Sequence, residues 1–385
     1  MTDAYILGAK RTAIGKRGGA LSATRPDDMA GALLKGLADE LDLDGAHVED
    51  VIMGCVTQVD EQGINIGRVA SLIAGFPVTA CGTTVNRMCG SSLQAVNFAA
   101  QGVMSGMHDL TIGAGVESMS RVPMGSDMGA LSELLTDKYD IIQQGVSAEL
   151  IAEKWGLSKE DLHKLALESH RRAIHAIDEG RFEREVLPLD LTTPDGEQVC
   201  FDTDEGPRRG TTLEKMAGLK TPFKDDGVVT AAAASQISDG AAAVVIGTKE
   251  KAEELGLSPR ARFKAMAVAG VDPTIMLTGP IPATKKVLEK AELTLDDIGV
   301  FEVNEAFAPV VLAWAHEMSD EPQELLERTN VNGGAMALGH PLGCSGARLL
   351  VTLLHEMERQ DVRYGLATLC IGFGQAVATI IEREM

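Results

Sequence analysis

Apolar residues recur along the chain in two rhythms, and the rhythms alternate. Short runs such as Val51-Ile52-Met53, Leu110–Gly115, Val300–Val303 and Gly365–Gly372 suit buried strands. Between them, apolar positions three to four apart predict helices. Leu93, Val96, Ala100 and Val103 form one such set, and Ala347, Leu350, Leu354 and Met357 another. Strands alternating with helices predict parallel-containing sheets with helices on their faces. Ser158-Lys159-Glu160-Asp161 reads as an N-cap with an acidic first turn, opening a helix through Leu162, Leu165 and Ile174. The longest uncharged stretch, Tyr364–Ile381, is interrupted by Gly365, Gly372, Gly374 and Gln375. Two buried strands explain it better than a membrane helix.

The pattern also repeats at long range. Val48-Glu49-Asp50-Val51-Ile52-Met53 aligns with Leu295-Asp296-Asp297-Ile298-Gly299-Val300, which sets Asp50 opposite Asp297. Thr84-Val85-Asn86 parallels Asn330-Val331-Asn332. Each leads through a small-residue turn, Cys89-Gly90-Ser91-Ser92 or Gly343-Cys344-Ser345-Gly346, into one of the two helices above. The region between the copies, residues 117–238, has a different texture: Thr192–Thr230 is rich in Gly, Pro, Thr and charge and reads as loops laid over the paired halves.

Charge and cysteine content narrow the setting. The 385 residues carry 35 basic and 56 acidic side chains, a net charge of −21, which argues against generic binding to nucleic acid or anionic membranes. Residues 1–11 show no basic segment followed by an apolar core, so no signal peptide is expected. Six cysteines without CxxC or other metal spacing fit free thiols in a reducing cytosol. The eight histidines lie mostly in polar helical stretches; apart from His340, they are expected at the surface.

Four segments carry candidate chemistry. Cys89, in Asn86-Arg87-Met88-Cys89-Gly90-Ser91-Ser92, sits between a strand and a helix, where the helix dipole favours a thiolate nucleophile. A small buried core residue is an equal reading of that position. His340 lies among glycines in Asn332–Gly343, open to a cleft as a base requires, or held there by a structural hydrogen bond. Cys370 ends an apolar strand before Ile371-Gly372-Phe373-Gly374; a core cysteine is its alternative. Asn304 and Glu305 follow the strand-like Val300–Val303, the usual site position in α/β folds, or else open a solvated helix.

Together these segments resemble the thiolase family over nearly the whole chain. The strings that carry the resemblance are Arg11–Lys16, Cys89-Gly90-Ser91, Gly115–Ser120, Ser235–Ala242, Asn304–Ala308, Gly339-His340-Pro341 and Cys370-Ile371-Gly372, in that order. The resemblance implies a duplicated five-layer α-β-α-β-α fold, each half with a mixed five-stranded sheet, plus an inserted CoA-binding loop domain. Residues 1–116 with 239–260 would form the N-terminal half, 117–238 the insertion and 261–385 the C-terminal half. Cys89 would carry the acyl group and His340 would activate it. Cys370 would move the proton of the acetyl-CoA methyl carbon. Asn304, through a water, would join His340 in one oxyanion hole, and the N–H groups of Cys89 and Gly372 would form a second.

The resemblance also places Arg208, Leu219, Ala231 and Ser235 against CoA, with Phe307 closing the pocket. Arg208, Arg209, Lys215, Lys220 and Lys224 supply positive charge for its phosphates; a solvated loop is the alternative for that stretch. CoA is a co-substrate, no tightly bound cofactor or metal is expected, and a cytoplasmic homodimer or homotetramer follows by resemblance alone. Three positions depart from the family pattern: Phe373 replaces a glycine, Ala233 stands where Asn is common, and Gln143-Gln144 replaces His-Met of acetyl-specific members. That last change favours a degradative 3-ketoacyl-CoA thiolase, with fatty or steroid acyl groups open, over an acetoacetyl-CoA enzyme. Cys370 argues against a decarboxylating synthase of the same superfamily, and retention of all four site residues argues against a non-catalytic acyl-CoA binder. The order Cys, Asn, His does not suit a papain-like protease.

Overall fold

The computed structural model describes residues 2–384; Met1 and Met385 lie outside them. The N-terminal half contributes β1 (Tyr5–Arg11), β2 (Asp50–Gly54), β3 (Cys81–Val85), β4 (Leu110–Ser118) and β5 (Ser238–Gly247). The C-terminal half contributes β6 (Ala261–Gly270), β7 (Val300–Val303), β8 (Tyr364–Ile371) and β9 (Gln375–Glu382). The strand orders are β3-β2-β4-β5-β1 and, mirroring it, β7-β8-β9-β6. In each half the strands nearest the outer edge run parallel and the return strands antiparallel. The uncharged stretch after Tyr364 is thus the antiparallel pair β8–β9.

Two features differ from the expectation of separate five-stranded sheets. The halves join through a short antiparallel pairing of β1 with β6, Tyr5 opposite Arg262 and Ile6 opposite Ala261. The place of a fifth strand beside β7 holds a single bridge, Phe301–Thr329. The reason is local. Asn330 takes a left-handed φ of 50° and turns the chain away. Its side-chain amide accepts from the Val303 N–H at 2.8 Å and donates to the Val303 carbonyl at 2.8 Å, replacing a strand partner.

The layers follow from burial. Helix α1 (Pro26–Glu40) covers the outer face of the first sheet with Met29, Leu33, Leu34 and Leu37. Helices α2 (Ser91–Met104), α3 (Gln144–Lys154) and α4 (Lys159–Asp178) come next, followed by α5 (Pro280–Ala291) on the outer face of the second sheet and α6 (Ser345–Gln360). Helices α2 and α6 pack on each other and touch strands of both halves. Every residue from Ser345 to Met357 is buried. A helix buried around its whole circumference belongs between two sheets, and this pair is the central layer.

The long-range repeat is real, but its register slips by three residues from the alignment above. Short 3₁₀ turns, Gly45–His47 and Leu295–Asp297, precede β2 and β7, so Asp50 lies opposite Val300 instead of Asp297. Helix α4 begins with the expected Ser158–Asp161 capping box. Its buried stripe, however, includes His163, Ser169 and His170, while Leu165 and Ile174 are only partly buried. His163, His170 and His355 are all buried, against the expectation that they are surface residues. Each has a hydrogen-bond partner: Thr230 Oγ1 for His163, the Arg208 N–H for His170 and the Val351 carbonyl for His355.

Candidate active site

Cys89 is delivered by a tightly wound turn between β3 and α2. Met88 sits at φ 46°, a left-handed conformation that a non-glycine residue adopts only under constraint. The Ser91 hydroxyl supplies it, accepting from the Arg87 N–H at 2.9 Å and donating to the Met88 carbonyl at 2.6 Å. Cys89 then stands just ahead of the helix and is 4% exposed, packed with Val56, Met119 and Leu342. A side chain at Gly90 would strike Ile371, its Cβ 2.5 Å from Cδ1, so glycine is what lets this turn approach the end of β8.

That strand end brings Cys370 and Gly372 to the same place. Backbone N–H groups of Gly372 and Cys89 both face the Cys89 sulfur, joined by the side-chain amide of Gln144 at the start of α3. A Cβ on Gly372 would lie 2.9 Å from Met88 Sδ and 3.1 Å from Gln144 Nε2. Cys370 is fully buried, and burial together with the charge of a Cys89 thiolate pushes its thiol well above the ordinary range. Phe373 completes the turn at φ 59°, a conformation glycine takes without strain.

His340 and Asn304 form a second, adjoining unit. Asn304 Nδ2 lies 3.3 Å from His340 Nε2, and both residues are buried; the solvated-helix reading of Asn304 and Glu305 therefore fails. His340 Nδ1 is 2.5 Å from Ser345 Oγ, whose own proton goes to the Pro341 carbonyl at 2.9 Å. The chain of donors assigns the proton to Nδ1 and leaves the Nε2 lone pair facing Asn304. Burial, then the positive charge of Arg348, hold His340 down at about 3, so the ring is a neutral base.

Two buried carboxylates support these loops. Glu117 accepts from the N–H groups of Val56, Thr57 and Gly343 and from Gln62 Nε2, at 2.7–3.1 Å. Glu305 accepts from Ser169 Oγ, Asn330 Nδ2 and the Met336 N–H at 2.7–3.1 Å. The first pins the loop after His340 to the N-terminal half; the second pins the strand end at Asn304 to α4.

A thiol, a second buried thiol, converging N–H donors and a neutral imidazole paired with an amide are the parts of an acyl-transfer site. Comparison with known proteins agrees. Residues 4–250 match the family description "Thiolase, N-terminal domain", and residues 257–383 match "Thiolase, C-terminal domain". The chain belongs to the thiolase family. It is 48% identical over 396 residues to a steroid 3-ketoacyl-CoA thiolase of Mycobacterium tuberculosis, covering 100% of this chain and 95% of that one. It is 43% identical over 389 residues to a 3-ketoacyl-CoA thiolase of Photobacterium profundum, with both chains fully covered. Among solved structures, the Bacillus anthracis acetyl-CoA acetyltransferase superposes with a TM-score of 0.91 at 38% identity, covering 100% of this chain and 99% of that chain.

Thiolases use CoA, and a cavity of about 270 Å³ lies where the insertion meets the C-terminal half. Arg208, Lys215, Leu219, Ala231, His170 and Met336 line it. Ser235 and Phe307 flank it through backbone pairing: Ser235 N–H donates to the Ala306 carbonyl, and Ala234 bridges Phe307. Phe307 also stacks edge-on against Phe223 at 5.8 Å. The basic stretch divides. Arg208 and Lys215 line the cavity, whereas Arg209 pairs with Asp178 and Lys224 with Glu153. His170 was missed by sequence reading, since its only signal was a polar residue on a helix with weak apolar spacing.

One expectation about Cys89 is reversed in this thiolase. The helix terminus predicts a preformed thiolate, but burial outweighs it and pushes the thiol up to about 11, with the N–H groups pulling it back only partly. Cys89 and His340 are therefore both neutral at pH 7. The alkylation rate of Cys89 by iodoacetamide in the free enzyme is expected to rise about tenfold per pH unit between pH 7 and 9, following the thiolate fraction. A rate that is flat over that range reveals a preformed ion pair and overturns this assignment.

Proposed function

We propose that this thiolase cleaves 3-ketoacyl-CoA esters, with Cys89 as nucleophile. The observation that carries the reading is the convergence of Cys89, the Gly372 N–H and Cys370 beside the His340–Asn304 pair. His340 Nε2 takes the Cys89 proton as the sulfur attacks the 3-keto carbon. The N–H groups of Cys89 and Gly372 hold the oxyanion of the tetrahedral adduct. Collapse breaks the bond between C2 and C3, leaving an acyl group on Cys89 and the enolate of acetyl-CoA. Protonated His340 and a water on Asn304 stabilise the enolate oxygen, and the Cys370 thiol protonates its carbon. The Cys370 thiolate then deprotonates an incoming CoA thiol, which attacks the Cys89 thioester and releases the shortened acyl-CoA. In the reverse direction the same groups condense two acyl units.

The substrate class follows from Gln144 and the relatives. An amide beside the nucleophile replaces the methionine of acetyl-specific enzymes, and the relative at 48% identity is described as acting on steroid 3-ketoacyl-CoA. We therefore favour acyl groups longer than acetyl. The rival reading, acetoacetyl-CoA, draws support from the acetyltransferase neighbour. Thiolysis of a series of 3-ketoacyl-CoAs, from the four-carbon ester to steroid side chains, separates them. Highest kcat/KM on the four-carbon ester rejects the longer-chain reading.

The Arg208–Lys215 cavity would take CoA, with Leu219, Ala231, Ser235 and Phe307 around its pantetheine. The domain division at 1–116 with 239–260, 117–238 and 261–385 remains our reading, supported by β5 returning between β1 and β4 after the insertion. A homodimer or homotetramer is part of it. Strand β3 ends the sheet, with an open edge flanked by Ile64 and Val78, 92% and 81% exposed. An unpaired strand edge with apolar flanks favours closure by a second copy. Sedimentation of a single 40.7 kDa species at micromolar concentration contradicts it. No helix among the described residues is long and apolar enough to cross a membrane, and the six cysteines are unpaired. We place the enzyme in the cytoplasm on the second of these grounds.

A further inference from the structure

Behind His340 and Asn304 lies a buried ion pair that the reaction does not use. Glu302 and Asn304 stand two residues apart along β7 and its extension, hence on one face: the Asn304 N–H still bonds the Thr368 carbonyl of β8. Ser345 and Arg348 stand three apart on α6, hence also on one face. The two faces meet in two rungs. In the first, Ser345 holds His340 Nδ1 while Asn304 reaches Nε2. In the second, Arg348 Nη1 lies 3.4 Å from Glu302 Oε2.

The second rung is poorly built for stability. Arg348 and Glu302 are 1% and 0% exposed, yet Arg348 Nη2 and Glu302 Oε1 have no partner. Arg11 shows what a satisfied buried arginine looks like in this protein: two bonds to Asp204 at 2.7 and 2.9 Å and one to Glu185 at 2.6 Å. A long, single-contact pair gains little over apolar packing, and buried pairs of this kind seldom stabilise a fold. Its location points to another role.

We propose that Glu302–Arg348 is a positioning pair, which fixes α6 against β7 and so sets the His340–Asn304 geometry while directing uncompensated positive charge at the imidazole. The charge acts in the required sense, since Arg348 opposes protonation of His340. Neutralisation from Glu302 is incomplete, because burial pushes that carboxyl up to about 8 and leaves much of it protonated at pH 7. Glu185, Glu305 and Glu356 face the same carboxyl and raise it further. The proposal rests on His340 and Asn304 being catalytic, and the test separates the two claims.

Arg348→Met should lower kcat for thiolysis by about 10- to 100-fold, the cost of a small misplacement of the base, with KM and thermal midpoint nearly unchanged. Arg348→Lys and Glu302→Gln, which keep the charge or the acceptor, should recover most of the rate. The decisive measurement is a cycle with Asn304→Ala, itself expected to lower kcat roughly 100- to 1,000-fold. In that background Arg348→Met should cost no more than about threefold further, because the pair acts through a unit already lost. Multiplying losses, or wild-type kcat in a folded Arg348→Met, overturn the positioning role. Full turnover in Asn304→Ala alone rejects the catalytic reading instead. If Arg348→Met melts early, Glu302→Leu replaces it in the same cycle, where equal activity of the Leu and Gln variants is the overturning result.

Discussion

Cys89→Ala is expected to lower thiolysis by roughly 10,000- to 1,000,000-fold, the scale seen when an enzyme loses its covalent nucleophile. The size follows from what the sulfur does. It breaks one difficult carbon–carbon cleavage into two steps, and no neighbouring group can replace it. Cys370 is the nearest candidate, but its thiol is even harder to ionise and lies behind the nucleophile. Folding should survive, because the substitution removes one atom from a small cluster with Val56, Met119 and Leu342. Rapid-quench peptide mapping provides the direct counterpart: wild type mixed with an acyl-CoA should carry the acyl group on Cys89. An acylated Cys370 or Cys200, with Cys89 unmodified, contradicts the assignment.

The nucleophile, the imidazole and the second thiol were legible in the sequence because each sits in a short string whose neighbours determine its setting. Gly90 and Gly372 are required where backbones approach within van der Waals distance, and such positions leave a glycine behind. The alternation of strands and helices was equally visible, since apolar spacing reports local burial. What stayed hidden depends on partners far along the chain. Glu117 is conspicuous in Gly115–Ser120, yet its ligands at Val56, Gln62 and Gly343 lie up to 226 positions away. Helix α6 shows one apolar stripe, so Arg348, Thr352, His355 and Glu356 read as a solvated face. They are buried because the helix lies between two sheets, which only the duplication of the fold dictates.

The reversed ionisation of Cys89 has the same origin. A helix terminus is a local feature and predicts a stabilised anion. The opposing effect, removal of water by the β8 end and α3, comes from segments about 280 and 55 residues distant by their positions in the chain. In this site desolvation wins over the local dipole. The consequence is mechanistic: proton transfer to His340 accompanies attack, and the neutral imidazole is the form that matters.

Cys370→Ala is expected to divide the reaction into its two halves. Acyl transfer to Cys89 from an acyl-CoA requires the nucleophile, His340 and one set of N–H donors, all of which remain. Moving a proton at the acetyl methyl carbon requires a further acid or base in contact with that carbon, and Cys370 is the buried group placed for it. Its high pKa suits the task, because a thiol that holds its proton tightly can deliver it to an enolate, and its thiolate is then a strong base towards CoA. Exchange of acetyl-CoA methyl protons with deuterated water should therefore fall by roughly 100- to 10,000-fold, the range for loss of a general acid–base group. Acylation of Cys89 in a single turnover should change by less than about tenfold, since removing a buried thiol alters only its packing. Mass spectrometry of acetyl-CoA after incubation reads the first quantity, and quenched mapping of Cys89 reads the second. Exchange at the wild-type rate removes Cys370 from the proton path. Loss of both activities together, with the thermal midpoint intact, means that Cys370 serves the nucleophile itself, and the division of labour between the two thiols would then have to be redrawn.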